Sequence, residues 1–188
     1  MADIIGISSS DNGDGESPPV VYRVDGQDRI QFVNEGWRVF AAENDDQHSA
    51  EDYIGKNIWA FMDAADGAVV LHRHLAQEVR ATGRAVFLRF PCDSIEIERD
   101  LEMSILDAGN DDLVYCTRQL DVRARVPVEA PAPKPFNLCR SCGKLETPAG
   151  WFSVFDLITR ALITMDRAPM TIAETTYPGC SAASRVGE

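Results

Sequence analysis

The residues best suited to chemistry are Cys139-Arg140-Ser141-Cys142, two thiols separated by two residues. Two such thiolates can grip one Zn²⁺ at about 2.3 Å each, and a second, distant pair completes a tetrahedron. The later segment Tyr177-Pro178-Gly179-Cys180 supplies only one sulfur, because a phenol loses its proton only near pH ~10. Cys139, Cys142 and Cys180 are therefore the candidate metal ligands. A fourth ligand must come from water, an acidic residue, Cys116 or another chain, since no histidine follows residue 74. Two readings compete with a zinc site. One is a degenerate knuckle that packs as a small hydrophobic unit. The other is a redox switch, which usually needs a helix N-terminus beside the first cysteine, and the sequence does not clearly supply one.

His72 is the second candidate. On a helix over residues 65–82 it shares a face with Ala68, Leu71, Leu75 and Val79, while His74 lies about 200° away. Neutral imidazole is a common iron ligand. The plainer alternative is a half-buried histidine with one satisfied hydrogen bond. Trp37, Phe40, Trp59, Phe61, Phe87 and Phe90 are the aromatic residues available to line an apolar ligand pocket or simply to fill a core. Cys92 and Cys116 fall at strand positions and read as small buried apolar side chains.

These groups need elements to hold them. Residues 20–33, VVYRVDGQDRIQFV, give two β-type runs around Asp25-Gly26-Gln27-Asp28, a turn sequence, and so a hairpin. Asn34 can cap a helix carrying Trp37, Phe40 and Ala41. Residues 43–51 read as a loop or one helical turn, and in 54–62, IGKNIWAFM, the spacing of Ile58, Phe61 and Met62 fits one helical face. Gly83 is placed to end the long helix. Alternation predicts strands at 85–90, 101–106 and 113–120, with DAGNDD (107–112) as an open turn. The run Glu96, Glu98, Arg99, Asp100, Glu102 reads as a solvated strand entrance or a partner surface. Four prolines in residues 126–135 mark a semi-rigid linker, and the tail beyond it holds an amphipathic helix near 153–165.

The composition narrows the function. A formal charge of −12 and 45% hydrophobic residues describe an acidic chain with enough apolar matter for a core. Such a surface repels phosphate backbones and anionic membranes, so neither nucleic acid nor membrane is an expected partner. No run approaches the ~18 apolar residues of a membrane span. MADIIGISSSDNGDGESPP has no Lys or Arg before its short apolar patch, so no secretory signal is expected. Five cysteines without such a signal suit reduced thiols or a metal in the cytoplasm. No GxGxxG, P-loop, GxSxG or HExxH motif is present, and a nucleophilic Cys139 or Cys142 would lack a nearby base, so no enzymatic activity is expected.

The order of hairpin, short helices, long helix and three strands resembles a PAS domain. VYRVDGQDRIQFVNEGWRVFA is similar to the opening of that family and IGKNIWAFM to its hydrophobic box before the core helices; the likeness covers residues 19–123. FLRFPCDSIEIERDLEMSI further resembles uncharacterised bacterial stand-alone PAS-like proteins with a tail of CxxC, Trp and a second CxxC. Cys139, Cys142 and Trp151 match that tail. Tyr177 departs from it, as do Pro91 and Ile95 from the middle motif. The resemblance implies an α+β fold, a five-stranded antiparallel sheet flanked by helices, followed by a small cysteine-containing subdomain. The expected division is a flexible stretch at 1–18, the PAS domain at 19–123, a linker at 124–135 and the tail at 136–188.

The function this implies is that of a non-enzymatic sensor, relaying a signal by ligand- or partner-dependent conformational change to a separate signalling protein. The cofactor is left unknown. Zinc in the tail is the nearest candidate, and His72, Trp37, Trp59 and Phe61 are the candidate cofactor-binding residues. The resemblance admits haem through His72, since some PAS domains hold iron from this helix, but one lone histidine argues weakly for it. No cysteine-bearing helix of the kind that binds flavin covalently is visible near residues 55–62. The alternative is a metal- or redox-responsive protein using the tail cysteines, with the PAS domain as a dimerisation scaffold. A homodimer is compatible with either reading.

Overall fold

Alternating side chains drive the first hairpin of the computed structural model, which describes residues 17–43, 48–61, 67–92, 97–124, 136–160 and 172–183. The expected flexible stretch up to residue 16, Met62, Ile95, Glu96, the Pro-rich linker from residue 125 and the tail helix after residue 160 lie outside these residues, as does the side chain of Ala68. In β1 (Val20–Val24) Tyr22 and Val24 point to the core, and in β2 (Ile30–Val33) Ile30 and Val33 do so. The turn between them closes with the Asp28 N–H donating to the Asp25 carbonyl at 2.9 Å. Asp28 itself sits at φ 60°, a left-handed conformation that Asp tolerates better than most residues.

Asn34 caps α1 (Glu35–Glu43) as expected. Its Oδ1 accepts from the Trp37 and Val21 N–H groups at 3.0 and 2.9 Å, and its Nδ2 donates to the Pro19 carbonyl at 2.8 Å. One side chain thus starts the helix and ties it to β1. At the end of the stretch expected as a loop or one helical turn, α2 (Ala50–Tyr53) begins, and a 3₁₀ turn follows at Ile58–Phe61. The long helix α3 (Gly67–Thr82) buries Leu71, Leu75 and Val79 along one stripe. Gly83 ends it at φ 67°, its N–H donating to the Val79 carbonyl at 2.8 Å.

Strands β3 (Val86–Pro91), β4 (Ile97–Gly109) and β5 (Asp112–Ala124) complete an antiparallel sheet of order β2-β1-β5-β4-β3. β4 and β5 run further than their alternation predicts, and no open turn lies between them. Only Asn110 and Asp111 separate them, at φ 57° and 64°, the conformation of a tight two-residue hairpin that Asn and Asp accept. The helices cover one face of this sheet; Phe87, on the other face, is 62% exposed.

The tail folds into a second, four-stranded sheet of order β8-β7-β6-β9, with β6 (Phe136–Cys139), β7 (Lys144–Thr147), β8 (Gly150–Ser153) and β9 (Ile172–Thr175). Only the β6–β9 pair is parallel. Two short helices, α4 (Val154–Thr159) and α5 (Pro178–Ala183), accompany it. Ser153 caps α4 by accepting from the Asp156 N–H. α4 packs against α3 and β3, so Leu138, Leu145, Val154, Phe155, Leu157 and Ile158 continue the same hydrophobic core as Leu75 and Val79.

Candidate functional site

Two places gather chemistry. The first is a cavity of about 580 Å³ between the helices and the inner face of the large sheet. α1 contributes Trp37 and Phe40, the 3₁₀ turn Ile58 and Phe61, α3 His72, and the sheet Tyr22, Phe90, Leu101 and Met103. Aromatic rings run through this wall in contact with one another. Tyr115 stacks on Tyr22 at 4.7 Å, and Tyr22, Trp37, Tyr53 and Phe61 then follow in edge contacts of 5.2, 5.3 and 5.0 Å. Such edge and offset arrangements suit ring quadrupoles and stiffen the wall.

The wall is mostly apolar, but Glu43, His48, His72, Arg99, Thr117 and Gln119 bring polar side chains to it. The Trp37 Nε1 and the Tyr115 hydroxyl are buried without a hydrogen-bond partner, a costly state that groups in a folded core normally avoid. Burial, followed by the proximity of Tyr115, holds the Tyr22 phenol well above its ordinary range. Burial likewise raises Tyr115, with the Asp28 carboxylate adding to it. Both rings are therefore neutral.

Of the four candidate cofactor residues, Trp37, Phe61 and His72 meet at this cavity. Trp59 does not line it. Its indole donates to Asp28 Oδ2 at 2.6 Å, and the Arg73 guanidinium lies 5.3 Å from its ring centre. Cys92 lies at the cavity edge, half-buried. The sequence reading missed the tyrosines. Tyr22 carried a usable signal, since it alternates inward with Val24, but Tyr53 joins the wall, and Tyr115 stacks on Tyr22, only through tertiary contacts.

The second place is the tail. Cys139 ends β6 fully buried, Cys142 is exposed in the turn beyond it, and Cys180 is half-buried on α5. Their three Sγ atoms lie within 4.8 Å of one another, Cys139 and Cys180 at 3.9 Å. Three close cysteines in this arrangement could hold a metal ion. Burial alone would raise the Cys139 thiol, but the N–H groups of Tyr177, Cys142 and Ser141 point at it, and it comes down to about 7. The hydrogen bond with Cys142, burial and then Cys139 itself push Cys180 up to about 11.

The turn is built for close approach. Gly143 has φ 63°, its N–H donates to the Cys139 carbonyl at 2.9 Å, and a Cβ there would lie 2.8 Å from the His74 ring. His74 Nε2 lies 2.9 Å from the Arg140 carbonyl. A carbonyl only accepts, so that nitrogen carries the proton. Sequence spacing held no sign that a residue of α3 would brace the cysteine turn. Tyr177, which stands where a fourth cysteine would fall, packs its ring beside Lys144 Nζ at 4.3 Å and Trp151 at 5.6 Å.

The strand order β2-β1-β5-β4-β3, with the helices inserted between β2 and β3, decides the architecture of residues 20–124. It is the PAS fold. No family model matches the sequence, and no curated protein does. Among solved structures, the chain is similar to the photoactive yellow protein domain of the sensor histidine kinase Ppr from Rhodospirillum centenum. That match has 17% identity and a TM-score of 0.42 over 54% of this chain and 91% of that one. It is also similar to the PAS domain of the Cronobacter turicensis quorum-sensing receptor RpfR in complex with BDSF (15%, TM-score 0.41, 57% of this chain and 99% of that one). A third is the PAS domain of nitrogen regulation protein NR(II) from Vibrio parahaemolyticus (13%, TM-score 0.35, 54% and 89%). The assignment of the PAS fold rests on strand order and helix placement, not on these scores. Among the described residues, no helix is long and apolar enough to cross a membrane.

Proposed function

We propose that this chain is a non-enzymatic cytoplasmic sensor in which a small, largely apolar ligand occupies the PAS cavity and shifts the packing of helices against sheet. The observation that carries this reading is the cavity of about 580 Å³, a size within the range of small-molecule sites. Its aromatic wall includes an indole N–H that has no partner. A ligand acceptor opposite Trp37 Nε1 would satisfy that group, so the bound packing would gain a hydrogen bond that the empty one lacks. The ligand then acts by its different affinity for two packings. The exposed sheet face, where Phe87 lies in one row with Ser104 and Cys116, offers the surface for a signalling partner or a homodimer.

The test is gentle purification, an absorption spectrum, and mass spectrometry of what denaturation releases. A haem or flavin band would put a coloured cofactor in the cavity, with His72 as the first residue to mutate. A colourless molecule released in stoichiometric amount, and lost from a Met103→Trp variant that fills the cavity, supports the reading. A molecule still released from a folded Met103→Trp variant counts against this cavity. If no molecule is released and none in a metabolite panel shifts the melting temperature, the proposal fails.

The convergence of three Sγ atoms favours a second reading. In it the tail binds zinc or undergoes thiol oxidation, and the PAS domain serves as a dimerisation scaffold.

A further inference from the structure

We propose that Cys139, Cys142 and Cys180 supply three sulfur ligands, and no fourth, to one thiophilic divalent cation, Zn²⁺ in the first instance, and that a lighter donor such as water fills the remaining position. The inference rests on the metal-binding reading of the tail and gives it a coordination number. Tetrahedral bonds of about 2.3 Å place ligand sulfurs about 3.8 Å apart. The Cys139–Cys180 separation is 3.9 Å and all three Sγ lie within 4.8 Å. These separations match those of sulfurs that share one ion.

The rest of the chain cannot provide a fourth sulfur or an imidazole at this spacing. All five cysteines and all three histidines of the sequence are described, and only these three gather. Cys92 is at the cavity edge and Cys116 is paired across the large sheet with Ser104. His74 is the nearest histidine, but its Nε2–H is given to the Arg140 carbonyl and its Nδ1 faces the Gly143 backbone. It is a positioning residue that holds the turn on α3. Three thiolates and one Zn²⁺ carry a net charge of −1 rather than the −2 of a four-cysteine site, which lowers the cost of holding the cluster against a buried Cys139.

The experiment uses the full chain loaded with Zn²⁺ alone, measuring metal per chain and, by X-ray absorption at the zinc edge, the number of sulfur neighbours. One zinc per chain with three sulfurs and one oxygen or nitrogen is the expected result. At equal free zinc, Cys142→Ser and Cys180→Ser should each bind more than about tenfold more weakly, while Cys116→Ser binds as the parent does. Circular dichroism of each variant separates lost metal from lost fold. Four sulfurs in a zinc-linked dimer would overturn the coordination proposed here and keep a metal-responsive tail. No zinc but a reversible Cys139–Cys142 disulfide would overturn it and leave a redox-responsive tail. Neither zinc nor thiol oxidation would overturn both.

Discussion

Asp28 is the residue whose replacement most directly tests how the five-stranded sheet and its helices are held together. Its Oδ1 accepts from Arg80 Nη2 at 2.7 Å and its Oδ2 from Trp59 Nε1 at 2.6 Å. Arg80 also donates to the carbonyls of Asp25 and Asp111 at 3.0 and 2.8 Å. One pair of side chains thus joins the first hairpin, the 3₁₀ turn, α3 and the β4–β5 turn. With side chains only 15% and 23% exposed, the pair is shielded enough for its hydrogen bonds to count, though not at fully buried strength. We take about 1–1.5 kcal/mol for each of the two bonds to the carboxylate. The backbone at φ 60° adds about 1 kcal/mol against any non-glycine residue that resists the left-handed region. Asp28→Ala loses both bonds and suffers the strain, about 3–4 kcal/mol. Asp28→Gly loses the bonds without the strain, about 2–3 kcal/mol. Asp28→Asn keeps the backbone and one neutral acceptor, about 1–1.5 kcal/mol. Urea unfolding followed by tryptophan fluorescence gives the three values. At about 2–4 °C per kcal/mol, the alanine variant should melt roughly 10 °C lower. If all three variants fall within about 1 kcal/mol of the parent, the network is surface decoration and does not hold these elements together. An alanine variant no worse than the glycine one would refute the strain component alone.

Three further outcomes rest on single contacts. Gly36→Ala gains about 1 kcal/mol of helix propensity, but its Cβ would lie 2.1 Å from the Pro19 carbonyl oxygen. Overpacking against backbone costs more than that gain, so denaturation should show a net loss, and a stabilised variant would contradict the α1–β1 contact. Tyr22 and Tyr115 hold their protons above the ordinary tyrosine range. Their neutral forms support the fold below pH ~10, and that support is lost as the pH climbs past it toward their folded values. Ultraviolet titration should show these two phenols ionising only as the protein unfolds; normal, reversible ionisation of all four tyrosines in the folded chain would be the contrary result. Gly143→Ala puts a Cβ 2.8 Å from His74 at φ 63°. It should loosen the cysteine turn by at least about 1–2 kcal/mol, read as faster amide exchange at residues 140–145 with the large sheet unchanged.

The elements that could be read from the sequence are those whose signals are local. Asn34 as a cap, Gly83 as a helix end and the stripe Leu71, Leu75 and Val79 depend on neighbours within a few turns, and the structure has all of them. The short strands of the tail did not stand out because four residues such as FNLC or KLET carry too little alternation to separate strand from loop. The parallel β6–β9 pair joins residues more than thirty positions apart, a pairing no local pattern specifies. The length of β4 and β5 was missed because Asp100, Asp121 and Arg123 are polar on both strands; pairing and the Arg123 ion pairs with Glu98 and Asp100, not burial, carry them on. For the site, residue type was legible and partnership was not. The three tail cysteines were identifiable by spacing. Their brace, His74, lies 66 positions upstream of Arg140.

That brace alters how the two candidate sites relate. His72 and His74 are two residues apart on α3, hence about 200° apart around its axis. One lines the cavity and the other grips the turn between Cys139 and Cys142. Between them, Leu71, Leu75 and Val79 lock the helix into a core that α4 continues on the tail side. A close-packed core does not deform smoothly; it moves between discrete arrangements. Any displacement of α3 large enough to change the cavity wall must therefore either carry the Arg140 carbonyl with it or break a 2.9 Å hydrogen bond. The cysteine turn is thus attached through His74 to the helix that carries His72 into the cavity wall, and α4 gives the tail a second attachment, to β3 of the large sheet.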